Sequence, residues 1–312
     1  MYMKREIYFA GGCYWGTEHF FRLIDGVRET TVGFANGNGE NPSYEEVYTD
    51  TTGFAETVRV VYEDEVVSLD FLLDCFFRSI DPFRLNGQGE DSGTRYRSGV
   101  YYTEDEDLPR IKAAFARVGA RLGGKPVTEC SPLKNFYPAE ERHQAYLEKN
   151  PGGYCHISLR TFTYLRLVQD LRYLLGDETS LIAREANSAA LIRERLGFFW
   201  IGFYNVDGEE LVLGPFQGSP ACQRIGFGRG VCGSAWKQDR SIVVPDVEKF
   251  PGHIACSSAS RSEIVVPVHR DGKIIAVLDM DSDELSTFAL SDALWLEEIV
   301  NIISKDCREG NV

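Results

Sequence analysis

One stretch decides the fold of the first half of the chain: Phe9-Ala10-Gly11-Gly12-Cys13-Tyr14-Trp15-Gly16. The sequence predicts an apolar strand that ends at the two glycines and an amphipathic helix that begins after Cys13. At a helix amino terminus, exposed N–H groups and the helix dipole favour a thiolate over a thiol. From this turn alone, a reactive thiol and a small cysteine packed under the turn are equally good interpretations.

The composition is that of a globular protein with two domains. The chain has 312 residues, of which 43% are hydrophobic and 26% charged, and domains commonly contain ~100 to 200 residues. The net charge of -14 disfavours nucleic acid and membrane partners. The five residues before the first predicted strand leave no room for the apolar core of a signal peptide, so we expect a cytoplasmic protein with reduced thiols.

The rest of the first half alternates predicted strands and helices. The predicted strands are Glu6–Ala10, Val27–Phe34, Glu56–Tyr62, Tyr96–Tyr102 and Val127–Cys130. The predicted helices are Tyr14–Leu23, Asp70–Ile80, Leu108–Leu122 and Ala139–Leu147. Cys75 falls on the apolar face of its helix, which predicts a core position rather than a chemical role.

Five motifs in this half occur in an order typical of one enzyme family. They are Gly12-Cys13-Tyr14-Trp15-Gly16, Asn41-Pro42-Ser43-Tyr44, Thr52-Gly53-Phe54-Ala55-Glu56, Asp91-Ser92-Gly93-Thr94-Arg95-Tyr96-Arg97-Ser98, and the stretch Tyr137–Tyr146. Together they resemble peptide methionine sulfoxide reductase A over residues 5–157. The resemblance implies an α/β sandwich domain, which we place at residues 1–158. Tyr14 stands where the family usually has Phe, and Phe54 where it usually has His.

The resemblance implies that Cys13 attacks the sulfoxide sulfur and that Glu56 protonates its oxygen. A carboxyl group donates a proton at neutral pH only when burial raises its pKa, and Glu56 has apolar neighbours in the sequence. Without the resemblance, a solvated glutamate at the start of a strand is the simpler interpretation. The implied substrate contacts are Tyr14, Trp15, Tyr44, Asp91 and Tyr96.

Sulfoxide reduction leaves a sulfenic acid on Cys13, which a second thiol can convert to a disulfide. Cys155 is the first candidate because it lies in a glycine-rich segment, where the family often has its resolving cysteine, and Cys130 is the second. Cys307, near the carboxyl terminus, is a third thiol but more typical of a surface bystander. Such a disulfide requires an external dithiol, such as thioredoxin, for recycling.

The second half begins with two helices between residues 158 and 196, separated by Gly176-Asp177-Glu178. Two hairpins follow, Phe198–Val206 with Glu210–Phe216 and Glu263–His269 with Lys273–Asp279, and the helix Phe288–Ile303 ends the pattern. This predicts a second domain at residues 159–312, an antiparallel sheet flanked by helices, within an α+β protein.

Cys222, Cys232 and Cys256 are predicted to lie in loops of this second domain. A metal site would need His253 as a fourth ligand, but structural zinc sites usually pair their ligands two to four residues apart, and only His253 and Cys256 do so. We therefore expect no metal and no cofactor.

Several motifs of the second half resemble free methionine-(R)-sulfoxide reductase, an enzymatic branch of the GAF fold. They are Leu213–Gly218, Ala221-Cys222, Gly230–Gly233, Pro245–Val247, Phe250–Cys256, Ser262–Pro267 and Leu278–Ser282. The resemblance implies Cys256 as nucleophile, Cys222 as its main resolving partner and Cys232 as a further member of the relay. Ser257 stands where the family commonly has Asp, which puts the contribution of that carboxylate in doubt.

The implied substrate site of the second domain combines carboxylates with an aromatic wall. Its residues are Trp200, Tyr204, Glu263, Asp279 and Asp281. Free methionine sulfoxide has an ammonium group that buried carboxylates can pair with, whereas a peptide-bound residue lacks it. For the aspartates alone, a solvated acidic strand end is the simpler interpretation, since Asp283 and Glu284 follow.

The sequence therefore predicts a bifunctional repair enzyme. Each sulfoxide epimer needs its own enzyme, and the first domain would reduce the S epimer, free or in proteins, while the second would reduce the R epimer of free methionine sulfoxide. The alternative is a reductase of the S epimer joined to a GAF module that binds a ligand or senses oxidants. Three loop cysteines beside paired acids favour the enzyme.

Overall fold

The computed structural model describes residues 4–254 and 256–305, and the chain divides into two compact units, Met1–Phe162 and Thr163–Val312. The division falls inside a helix, α6, Leu159–Leu175. The boundary between the two functional domains, which we predict after residue 158, is not tested by this division and remains a prediction. Cys307 lies outside the described residues.

A six-stranded sheet with order β7-β6-β1-β3-β2-β8 forms the centre of the first unit. Its strands are β1 Lys4–Gly11, β2 Val27–Ala35, β3 Ala55–Glu63, β6 Ser98–Tyr102, β7 Glu129–Pro132 and β8 Phe136–Pro138; β4 Gly87–Gln88 and β5 Asp91–Ser92 form a separate ribbon. The helices are α1 Tyr14–Arg22, α2 Tyr44–Tyr48, α3 Leu69–Ser79, α4 Leu108–Leu122 and α5 Tyr146–Lys149. All sheet pairs are antiparallel except β6 with β7.

The turn between β1 and α1 forms as predicted, and its geometry requires glycine. Gly12 has φ +83°, and a Cβ there would lie 2.7 Å from Gln88 Cβ. Cys13 follows as the residue that caps α1. The central strand therefore delivers the thiol directly to the start of a helix.

The predicted helix Ala139–Leu147 is wrong. The segment contains a short 3₁₀ turn, Glu141–His143, and then α5. Gln144 prevents a continuous helix because its side-chain amide pairs with both the N–H and the C=O of Val32 in β2. Ala145 turns to φ +49° and donates its N–H to Glu18. Tyr96 also lies in a 3₁₀ turn rather than in the following strand.

The second unit is built on a six-stranded antiparallel sheet with order β11-β10-β9-β14-β13-β12. The strands are β9 Trp200–Asp207, β10 Glu210–Gln217, β11 Arg224–Gly226, β12 Ile242–Val244, β13 Ser262–Arg270 and β14 Lys273–Ser282. The helices are α7 Leu181–Leu196, α8 Gly230–Gln238 and α9 Leu290–Ser304. The two predicted hairpins are thus confirmed.

The prediction that Cys232 lies in a loop is wrong, because Cys232 is in the first turn of α8. The glycines around it suggested a flexible segment. Gly233 instead allows close packing, since a Cβ there would lie 2.5 Å from the carbonyl oxygen of Gly226 in β11. Cys232 is consequently fixed and buried beneath the sheet face that α8 covers.

Among the described residues, no helix is both long and apolar enough to cross a bilayer.

Candidate active sites

Cys13 is buried, with 6% of its surface exposed. The helix end lowers the pKa of Cys13, as predicted from the sequence, but the net pKa of this thiol lies well above its ordinary value. Burial is the largest cause and the charge of Glu56 the next, while the backbone N–H groups of Trp15 and Gly16 act in the opposite direction. Desolvation therefore exceeds the effect of the helix terminus, and the resting group is a thiol.

Glu56 is a buried carboxyl group next to this thiol. It lies in β3 opposite Phe34 of β2, and 2% of its surface is exposed. Its Oε2 accepts a hydrogen bond of 3.0 Å from the N–H of Tyr14, in the first turn of α1. Burial raises the pKa of Glu56 to about 8, and the nearby charge of Asp91 acts in the same direction. The group is therefore mostly protonated at neutral pH.

The two other tyrosines named from the sequence surround the same pair of groups. Burial and then the charge of Glu56 raise the pKa of Tyr44 to about 12, and the same two causes raise the pKa of Tyr96. Cys13 acts on both phenols in the same direction, which places all four groups together. Two neutral hydroxyl donors and one protonated acid can thus serve a single oxygen atom.

Asp91 connects this centre to the end of the first unit. Its carboxylate accepts a backbone hydrogen bond from Cys13 and a 3.0 Å hydrogen bond from the hydroxyl group of Tyr154. Burial raises its pKa in spite of these bonds. Asp91 thus connects the turn that carries Cys13 to the segment that carries Cys155.

An aromatic wall lies beside the thiol. Tyr14 is fully buried, and the indole of Trp15 stacks on Tyr146 with ring centroids 3.8 Å apart. The sequence analysis missed His143, whose ring stacks against both Trp15 and Tyr44. The sequence predicted a regular helix across this segment, so the role of His143 was not predicted. The bend at the residues that follow directs the His143 ring into the site.

The side chain of Phe54 is buried and, as a hydrocarbon ring, has no group that can hydrogen-bond to Glu56. Its ring packs over Gly37, where a Cβ would lie 2.2 Å away, and edge-on against Tyr137. In this chain, the Phe54 ring fills the space just before the start of β3. Glu56 accepts its hydrogen bond from the backbone N–H of Tyr14 instead.

The remaining cysteines of the first unit differ in their distance from this centre. Cys75 is fully buried in α3, which confirms its core position. Cys130 is half-buried in β7, opposite Val100. Cys155 is half-buried against the first turn of α1, since a Cβ on Gly16 would lie 3.0 Å from its Sγ. The structure therefore places Cys155 beside the turn that carries Cys13.

A cavity of about 30 Å³ marks the corresponding place in the second unit. It brings together all the residues named there from the sequence except Cys222, which lies just outside in a disulfide. The lining includes Trp200, Tyr204, Cys232, His253, Cys256, Ser257, Glu263, Asp279 and Asp281. Alternating positions on neighbouring strands β9, β14 and β13 point these side chains to one face of the sheet.

Three carboxyl groups share this cavity and disfavour one another's charge. Burial and mutual repulsion hold the pKa values of Glu263 and Asp279 well above their ordinary range. Burial raises the pKa of Asp281 to about 6, although Ser260 donates a hydrogen bond to it. Asp279 Oδ1 has no hydrogen-bond partner among the described residues. Such a cluster is suited to a cation that compensates several carboxylates at once.

Cys222 and Cys256 form a disulfide with Cα atoms 5.3 Å apart, and Cys232 remains a free thiol. In this disulfide state, two sulfurs of the four-ligand metal set considered from the sequence are bonded to each other. The Cys232, Glu263 and Asp279 donor atoms do lie within 4.8 Å of one another. Ser257 accepts a hydrogen bond from the Ala259 N–H at the cavity edge.

Comparison with known proteins assigns the two halves separately. A family model described as peptide methionine sulfoxide reductase matches residues 5–170, and a GAF domain model matches residues 182–305. The peptide methionine sulfoxide reductase MsrA of Clostridium acetobutylicum is 50% identical over 153 residues, which cover 49% of this chain and 94% of that protein.

The second half is similar to solved structures of another reductase. The free methionine-R-sulfoxide reductase from Neisseria meningitidis, solved with its substrate, is 51% identical, with 46% of this chain and 88% of that chain covered and a TM-score of 0.45. The reduced form of fRMsr of Staphylococcus aureus is 47% identical, with 46% and 94% covered and a TM-score of 0.45.

The predicted fusion is confirmed as a peptide methionine sulfoxide reductase domain followed by a GAF domain. The α+β class is confirmed as well, with an α/β domain followed by an antiparallel sheet flanked by helices. The chain belongs to the peptide methionine sulfoxide reductase family and carries a GAF-like domain after the reductase domain.

Proposed function

We propose that the chain reduces methionine sulfoxide at two independent sites of opposite stereochemical preference. The first site acts on the S epimer, free or in proteins, and the second on the R epimer of free methionine sulfoxide. One observation carries the proposal: in each unit, the cysteine that we take as the nucleophile lies beside buried carboxyl groups. The first unit has one such group, and the second unit has three.

In the first site, Glu56 donates a proton to the sulfoxide oxygen while the sulfur of Cys13 attacks the sulfoxide sulfur. Tyr44 and Tyr96 donate hydrogen bonds to the same oxygen, and Trp15 with Tyr14 accommodates the S-methyl group. The oxygen leaves with Cys13, and the thiol proton restores Glu56. The net reaction converts sulfoxide and Cys13–SH to methionine and Cys13–SOH. The raised pKa of Glu56 supports this role because the carboxyl group is then protonated at neutral pH.

Recycling of the first site uses Cys155. Its thiol attacks the sulfenic sulfur of Cys13, which forms a disulfide and releases water. An external dithiol of low potential, such as thioredoxin, then reduces this disulfide. The contact of Cys155 with the first turn of α1 supports it over Cys130 as the resolving thiol.

In the second site, Cys256 is the nucleophile and Cys222 its resolving partner, with Cys232 able to join the relay. Glu263, Asp279 and Asp281 bind the ammonium group and the sulfoxide, beside the rings of Trp200 and Tyr204. The disulfide between Cys222 and Cys256 is the product that this sequence of steps would leave. Because Cys256 lies in this disulfide, the disulfide must be reduced before Cys256 can attack the next substrate. Thioredoxin as the reductant and a cytoplasmic location remain predictions.

A regulatory GAF module is the second candidate for the second unit, acting as a sensor through the same disulfide. A sensor has no need for three carboxyl groups that repel one another beside the reactive sulfur. The enzyme uses all three, which favours catalysis.

The two sites can be separated in the full chain with purified epimers. Cys13→Ser is expected to abolish reduction of the S epimer and to leave turnover of free methionine-(R)-sulfoxide unchanged, and Cys256→Ser is expected to do the opposite. Cys75→Ser serves as the matched control for loss of a buried thiol. Turnover of the R epimer that survives Cys256→Ser would favour the regulatory module.

A further inference from the structure

The segment Tyr154-Cys155-His156 is held against the nucleophile's turn by each of its three residues. The hydroxyl group of Tyr154 donates to Asp91, which itself accepts from the Cys13 backbone. Cys155 Sγ lies against Gly16, and the ring of His156 lies against Gly12 and Gly16. The segment is therefore packed against the turn that carries Cys13.

The imidazole of His156 extends across the turn that carries Cys13. A Cβ on Gly12 would lie 3.2 Å from His156 Nε2, and a Cβ on Gly16 would lie 3.1 Å from His156 Nδ1 and 3.0 Å from Cys155 Sγ. The resolving sulfur and the imidazole are thus neighbours around one glycine of the first helical turn. Only glycine at these two positions leaves room for them.

The imidazole of His156 is buried, and the Gly11 backbone is the hydrogen-bond partner that acts on its charge. Both ring nitrogens are shielded from solvent, and neither has a hydrogen-bond partner of normal geometry among the described residues. Burial lowers the pKa of His156 to about 4, against a weaker opposing contribution from the Gly11 backbone. The ring is therefore neutral, and a neutral imidazole always has one nitrogen able to accept a proton.

Cys155, in contrast, has a proton that it must lose. Burial raises the pKa of its thiol, which donates a weak hydrogen bond of 3.5 Å to the carbonyl oxygen of Ile157. A thiol is a poor nucleophile, so attack on a sulfenic acid requires an acceptor for this proton.

We propose that His156 is the proton acceptor for disulfide formation in the first domain. When Cys155 turns from Ile157 towards Cys13, its thiol proton passes to His156 and its sulfur bonds to the sulfenic sulfur of Cys13. The S–O bond of Cys13–SOH breaks, and His156 returns the proton to the departing hydroxide. One water molecule and the Cys13–Cys155 disulfide result, and His156 is neutral again. This assignment rests on the proposed roles of Cys13 and Cys155.

The test uses the reduced full chain and one equivalent of a peptide that contains methionine-(S)-sulfoxide. Formation of the reduced peptide reports the first step, and trapping of Cys13–SOH with dimedone followed by mass analysis reports the second. We expect His156→Gln to slow disulfide formation about 100-fold, the lower range for general base catalysis, and far more than it slows reduction of the peptide. His269→Gln, an exposed histidine of the second unit, is the matched control.

Chemical rescue distinguishes proton transfer from a packing role. In His156→Ala, added imidazole is expected to restore disulfide formation in proportion to its concentration, whereas toluene of similar ring size is not. Disulfide formation at the wild-type rate in His156→Gln, or no response of His156→Ala to imidazole, would overturn the proposal. A disulfide that still forms on Cys13 in Cys155→Ser would instead contradict the resolving thiol of the proposed function.

Discussion

The two sites solve the same chemical problem with different numbers of carboxyl groups. The first has Glu56 as its buried acid, and the hydrogen-bond donors around it are neutral tyrosines. The second has three carboxyl groups in one cavity, each with a raised pKa. One protonated acid is sufficient to protonate an oxygen, and it requires no charge on the substrate. Three carboxyl groups are suited to a cation, which a free amino acid supplies and a residue within a protein does not.

The largest expected effect concerns the single acid of the first site. Glu56→Gln keeps the shape and the hydrogen bond from Tyr14 but removes the proton, so we expect the S epimer to be reduced about 100 to 10,000 times more slowly. Reduction of free methionine-(R)-sulfoxide by the same protein should be unchanged. Glu63→Gln, on the same strand but paired with Arg28, is the control. If the rate of reduction of the S epimer fell less than tenfold, this result would contradict the role of Glu56 as proton donor.

The next effect concerns the ammonium group of the substrate. Acetylation of free methionine-(R)-sulfoxide at nitrogen should lower kcat/KM at the second site by about 100-fold or more, because buried carboxylates lose their counter-charge. The same modification of the S epimer should change kcat/KM at the first site only a few-fold. Equal losses of kcat/KM at both sites would contradict the proposal that the two sites differ in their use of the ammonium group. Both values come from steady-state assays with purified epimers.

The sequence went furthest where a motif and a secondary structure boundary coincide. The Gly11–Gly12 turn predicted both the end of β1 and the position of Cys13, and the two Asp-Gly hairpins predicted the central strands of the second sheet. Contacts between residues far apart in the chain could not be predicted from the sequence. The pairing of Gln144 with Val32 bends the segment that brings His143 into the site, and the contact of Gly233 with Gly226 makes a helix where two glycines suggested a loop.

Electrostatics was the other part that the sequence could not supply. A helix terminus predicts a lowered pKa for Cys13, but the degree of burial, which is set by residues far apart in the chain, reverses the sign. The same reasoning applies to His156, whose only sequence signal is its place next to Cys155.

A smaller effect concerns pH. Burial raises the pKa of Asp281 to about 6, so this carboxyl group is ionised at pH 7 and becomes neutral as the pH falls below 6. We expect the KM for free methionine-(R)-sulfoxide to rise by up to about tenfold per pH unit below that value, since the neutral form no longer pairs with the ammonium group. Asp281→Asn should make KM high at every pH and remove this dependence. Over the same range, Glu56 keeps its proton, so the first site should show no matching loss of binding.

The central claim is that two separate disulfides serve two separate epimers. Its most direct test is mass mapping of disulfides in the fully reduced full chain after one equivalent of each epimer of free methionine sulfoxide. The S epimer is expected to yield Cys13 bonded to Cys155 and to leave Cys222 and Cys256 reduced, and the R epimer to yield Cys222 bonded to Cys256 and to leave Cys13 reduced. The same disulfide formed with both epimers would contradict the account.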